Sequence, residues 1–301
     1  MAENASLTAR PPGWNRLRPV AAIMVYAIAV VVAGSLAAPW LFHLVHPQMP
    51  TVPFRRVFDR SLLGAALIGL WPLLRCLGLR SWGELGYRKS PAWWHQSAVG
   101  LLTGVGSFVL AGGLLLLLHL RSLNLPEMNL RPWFGFVLSG VAVAVLEETF
   151  FRGGLQGAVQ RASNPWLAVI TTSAIYSIVH FLKPKGAGIA DGNVNWLSGF
   201  DYLGQILTRS WRAPGVAVGF VTLWLAGCVL GFAYVRTGAL YFSIGIHAGW
   251  VFTLKTYAWL TEATGRRTWW GGATLVDNVL VWPVLVLVLW LCWKKLKPLP
   301  S

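Results

Sequence analysis

The residues best equipped for chemistry are Glu147-Glu148-Thr149-Phe150-Phe151-Arg152, embedded in an apolar run from about Trp133 to Ala158. Two carboxylates and a guanidinium at membrane depth each cost on the order of several kcal/mol unless paired. Of the ten acidic residues, the other eight (Glu3, Asp59, Glu84, Glu127, Asp191, Asp201, Glu262 and Asp277) fall in expected termini or loops. On a helix Glu148 and Arg152 are four apart and can pair. Glu147 points about 100° away and is left for another task, such as taking a proton. The rival reading makes the two acids and the arginine a structural ion-pair network.

Imidazoles shift that balance. His180 ends the stretch Tyr176-Ser177-Ile178-Val179-His180, so Tyr176 and His180 share a helix face, with Thr172 one turn back. His247 lies inside a further apolar run, whereas His43, His46, His95 and His119 sit at expected ends or loops. Two membrane-depth histidines in one chain with an intramembrane Glu pair favour a polar cluster over isolated core residues.

The elements that must position these groups are membrane helices. With 55% hydrophobic and 12% charged residues in 301, and a mean hydropathy of +0.57, the chain carries about half the charge of an ordinary globular protein. An all-α, polytopic membrane bundle follows, one membrane-embedded domain over 1–301. Eight apolar runs approach the roughly 20 residues a crossing needs. They lie near Val20–Leu44, Ser61–Leu77 (kinked at Pro72), Ala98–His119, Trp133–Ala158, Trp166–Leu182, Val216–Val235, Ala239–Leu260 and Val279–Trp293. The first is too long for a signal-peptide core and reads as a retained helix. Residues 78–95, rich in Trp, Tyr, Arg and Lys, read as a segment in the headgroup layer. Between Lys183 and Ala213, Phe200, Leu203, Ile206 and Leu207 recur at helical spacing beside Asp201, Gln205 and Arg209, which predicts a surface amphipathic helix and a candidate gate.

The net charge of +15 is spread over nearly every loop. It therefore points to anionic lipid headgroups and away from nucleic acid. Cys76, Cys228 and Cys292 show neither a disulfide framework nor a thiolate metal site. Gly153 and Gly157, Gly227 and Gly231, and Gly245 and Gly249 have the small-xxx-small spacing that lets helices approach closely. Nothing in the sequence fixes an oligomeric state.

The order Glu-Glu-x-x-x-Arg, aromatic-x-x-x-His, then an intramembrane His, on separate apolar helices between about residues 133 and 260, resembles the CPBP family. These intramembrane proteases include the CAAX prenyl endopeptidases. The resemblance implies that Glu147 acts as general base on a water held with the help of His180. His247 would stabilise the oxyanion, while Glu148 with Arg152 fixes the helix and offsets charge. The family's polar residue four positions after the last His is Val251 here, with Trp250 or Ser243 as substitute donors, and Tyr176 stands where Phe is frequent. A metal-free mechanism without a cofactor is the expectation. The alternative is Zn2+ on Glu147, His180 and His247, against which no His-Glu-x-x-His helix is present.

The expected function is endopeptidase action on a membrane-associated protein or peptide, in a multi-pass protein of the cell (inner) membrane. A proton-coupled transporter would show a two-fold repeat and broken helices, which the sequence lacks. A non-catalytic scaffold or immunity-type protein of the same fold is the other rival, for which Val251 is the argument.

Overall fold

The computed structural model describes residues 18–125, 131–181, 188–209, 215–266, 272 and 274–296. Apolar runs become helices wherever the sequence predicts them: α1 (Arg18–Val45), α2 (Phe54–Cys76), α3 (Trp93–Leu117) and α4 (Arg131–Glu148). The rod begun by α4 continues through a π-helix (Thr149–Gln156) into α5 (Gly157–Ala162). Then come α6 (Pro165–Phe181), α7 (Ser198–Arg209), α8 (Val216–Thr237), α9 (Tyr241–Leu260) and α10 (Val281–Lys295). The amphipathic helix expected in the long connection is α7; residues 182–187 and 210–214 of that connection lie outside the described residues.

Large apolar side chains such as Met24, Ile28, Leu102, Leu117 and Phe134 are exposed along the helices, the pattern of a chain solvated by hydrocarbon. Among the described residues, five helical segments are long and apolar enough to cross a bilayer: Ala21–Val45, Phe54–Cys76, Trp93–Leu117, Arg131–Ala162 and Val216–Thr237. The sequence expectation of eight crossings is met by five on that criterion, because α6, α9 and α10 fall short in length or hydropathy. For α9 the reason is packing. It lies against α3 and α4, so its buried face carries Ser243, His247 and Thr253 in place of lipid-facing side chains.

The helices form two compact units. The first holds 81–178 and 217–301, and its main core runs through Phe108 and Leu115 of α3, Leu230 of α8, Ile246 and Trp250 of α9 and Leu285 of α10. Its tightest crossing is glycine on glycine. A Cβ at Gly100 or Gly104 of α3 would run into the Phe242 or Ile246 carbonyl of α9, and one at Gly249 would stand 2.6 Å from the Leu101 carbonyl. Backbones in that contact leave no room for a side chain. A short antiparallel ribbon, β1 (Arg121–Leu123) with β2 (Thr261–Ala263), joins the chain just after α3 to the chain just after α9. Three-residue strands carry no periodicity to read, and the all-helical expectation did not include them.

The second unit holds 10–80 and 179–216, with a core of Ala38, Phe42, Phe54, Phe58, Tyr202 and Ile206 from α1, α2 and α7. Asp191 Oδ1 accepts from the Phe54 amide at 3.0 Å and so receives an orphan donor at the start of α2.

Candidate active site

Glu148 is the last residue of α4, and beyond it the rod widens into the π-helix. Thr149 gives a local cause. Its hydroxyl donates to the Val145 carbonyl at 2.5 Å and competes for the acceptor a regular helix would use. Gly153 and Gly154 follow, with little side-chain bulk to resist the wider turn.

The π-helix lays Arg152 and Gln156 along α8. Arg152 Nη2 donates to the Gly227 carbonyl at 3.2 Å, and Gln156 Nε2 to the Gly231 carbonyl at 3.0 Å. Both acceptors are glycines because the approach demands it. A Cβ at Gly227 would stand 2.8 Å from Ser173 Cβ, and one at Gly231 the same distance from Gln156 Oε1. The other face of the π-helix is equally close: a Cβ at Gly153 would stand 2.6 Å from the Leu85 carbonyl.

Leu85 belongs to the 78–95 segment, which the sequence assigns to the headgroup layer. Leu85 and Gly86 are instead buried, and the Gly86 carbonyl accepts from the Leu240 amide at 3.0 Å, just ahead of α9. Gly86 sits at φ +95° with the Tyr234 ring closing on it, a position only glycine fills without strain. Next to it, Tyr87 reaches Thr149 Oγ1 at 2.6 Å; since Thr149 donates to Val145, Tyr87 is the donor. Burial pushes the Tyr87 phenol above its ordinary pKa, which keeps it protonated in that role.

His247, on the inner face of α9, lies between the two glutamates. Its Nδ1 is 3.0 Å from Glu148 Oε1, and its Nε2 is 3.8 Å from Glu147 Oε2. Arg152 Nη1 is 3.4 Å from the same Glu148 oxygen. Glu148 is wholly buried, and Arg152 and His247 are nearly so, but the Glu147 side chain keeps 28% of its surface exposed. An ionised carboxylate only accepts, so Glu148 fixes the proton on Nδ1 and leaves Nε2 as the nitrogen facing Glu147. Adjacent positions about 100° apart on α4 thus hold one imidazole from two sides.

Tyr176 of α6 closes the cluster. The Arg152 guanidinium sits 4.8 Å from its ring centre, the Phe151 ring meets it edge-on at 5.1 Å, and the His247 ring is 6.3 Å away. Glu147, Glu148, Arg152, Tyr176 and His247 are therefore brought together in the first unit. His180 is one turn beyond Tyr176 on α6, half-buried, and belongs to the second unit.

The substitute donors considered for Val251 both have fixed partners. Trp250 Nε1 donates to Ser107 Oγ at 2.9 Å, and Ser243 Oγ donates to the Leu240 carbonyl at 3.0 Å. Among the described residues no group of three or more His, Cys, Asp or Glu is placed to hold a metal ion. Sequence reading missed Gln156, Thr149 and Tyr87. Gln156 was the most findable, as a polar residue four beyond Arg152 in an apolar run.

Residues 129–253 match a family described as type II CAAX prenyl endopeptidase Rce1-like. No curated protein and no solved structure matches the chain. All of Glu147, Glu148, Arg152, Tyr176, His180 and His247 fall inside the matched stretch, and the match supports a likeness of this core to the CPBP, CAAX protease-like family.

Proposed function

We propose that the protein is an intramembrane endopeptidase that hydrolyses a peptide bond in a membrane-associated protein or peptide by glutamate- and histidine-assisted attack of water. The observation that carries this reading is the His247 ring held between a buried carboxylate at 3.0 Å and a partly exposed one at 3.8 Å. A purely structural ion-pair network has no need of an exposed member facing the free nitrogen of a fixed imidazole.

In this reading Glu147 takes a proton from water as the water oxygen attacks the scissile carbonyl. His180, on the Tyr176 face of α6, helps hold that water. The carbonyl electron pair moves to oxygen, where protonated His247 stabilises it. Glu147 then returns the proton to the departing amine. Glu148 orients His247 and stabilises its charged form, and Arg152 offsets the charge of Glu148.

No metal is required by this sequence of steps. The matched family implies a membrane-protein substrate. Prenylated peptides are the first class to try, and the cell (inner) membrane is the expected location.

The test compares protein termini in membranes of cells making wild type or Glu147→Gln at equal levels. Termini present only with wild type are expected, with unchanged assembly of the variant and cleavage that persists after chelation of divalent metals. Identical termini in the two membranes would overturn the peptidase reading in favour of the scaffold.

A further inference from the structure

The reaction proposed above creates an oxyanion, and one imidazolium is its only donor so far. Four polar hydrogens around the cluster have fixed acceptors: Thr149 on Val145, Tyr87 on Thr149, Ser243 on Leu240 and Trp250 on Ser107. Arg152 is occupied by Glu148 and the Gly227 carbonyl. The Tyr176 phenol is placed differently: its ring stands beside that of His247, and its hydroxyl hydrogen-bonds Glu147.

That partner differs from the rest because its charge changes during the reaction. While Glu147 is a carboxylate, it is the strongest acceptor within reach of the phenol. Once it has taken the proton from water, the negative charge resides on the substrate oxygen, and the better acceptor has moved there. The ring itself does not need to move far. It is pinned by Phe151 edge-on at 5.1 Å and by the Arg152 guanidinium at 4.8 Å, and it stands 6.3 Å from the His247 ring, the other oxyanion donor.

We infer that Tyr176 is a catalytic residue, a switching hydrogen-bond donor that holds Glu147 in the resting state and turns to the oxyanion as Glu147 becomes protonated, supplying a donor that Val251 lacks. It forms and breaks no covalent bond. The proton still passes from water to Glu147 and on to the amine, and the phenol keeps its own hydrogen throughout.

This rests on the peptidase reading, and the experiment separates the two. Wild type, Glu147→Gln, Tyr176→Phe and Tyr176→Leu are made in full length at equal levels. The rate at which wild-type-specific termini appear is measured together with thermal stability in detergent. The Phe variant keeps the ring contacts and loses only the hydroxyl. It should retain the melting temperature and produce the same termini about 10²-fold more slowly. A synthetic peptide spanning the cleaved bond should show that loss in kcat with KM unchanged. The Leu variant should lose stability as well. A Phe variant within twofold of wild type overturns the role of Tyr176 and leaves the peptidase reading standing. A Phe variant that melts early and loses rate only in proportion to its folded fraction also overturns it, by making the hydroxyl structural. Identical termini from wild type and Glu147→Gln overturn both.

Discussion

Glu147 and Glu148 are neighbours of the same type, and their environments give them different work. Glu148 is buried against Arg152 and His247 Nδ1, whereas Glu147 is partly exposed and faces Nε2. Glu148→Gln keeps an acceptor for Arg152 and for His247 Nδ1–H but removes the charge that supports the His247 imidazolium. Activity should fall by at least about 10²-fold in kcat with little change in KM, as measured on the peptide recovered from the terminus comparison. Arg152→Met is a different lesion. It strands the Glu148 charge in the interior and should cost about 3–5 kcal/mol, seen as a large drop in melting temperature and in yield.

At the level of elements, the site depends on two helix contacts that glycine makes possible. The Gly100 and Gly104 stripe of α3 meets Gly245 and Gly249 of α9 and sets the depth of His247; Gly227 and Gly231 of α8 accept from Arg152 and Gln156 and set the register of the π-helix. Gly104→Val should push α9 away from α3 at a cost of about 1–3 kcal/mol or more, with activity falling alongside stability. Gly106, on the same helix, has open space where a Cβ would go, and Gly106→Val is the control that should melt nearer to wild type. A single backbone stripe explains that contrast; helix propensity would penalise both changes alike.

For the whole molecule, the inside-out distribution of apolar side chains makes the bilayer part of the fold. Alkaline carbonate, which strips peripheral proteins, should leave the chain in the membrane pellet, and partition into the supernatant would contradict a multi-pass protein. The helix positions at this scale were open to sequence reading, because runs of about 20 apolar residues have few other uses. The crossing count was less legible. An interior helix such as α9 is released from the need to face lipid and so loses the hydropathy by which crossings are counted.

The sequence by itself determined that this is a helical membrane protein, marked Glu147, Glu148, Arg152, Tyr176, His180 and His247 as its candidate chemical residues, and put them in an order that resembles one protease family. Those properties are local: burial cost marks a charge in an apolar run, and helical spacing marks residues on one face. Only the tertiary structure decided that His247 stands between both glutamates, that Glu148 is its partner as well as that of Arg152, and that Trp250 is already bound to Ser107. Gly100 and Gly104 became meaningful only opposite Gly245 and Gly249, and Leu85 and Tyr87 of the 78–95 segment gained their meaning from contacts with the π-helix. Such facts depend on contacts between residues far apart in the chain, such as Leu240 and Gly86 or Tyr257 and Gly112, and no local spacing encodes which helix faces which.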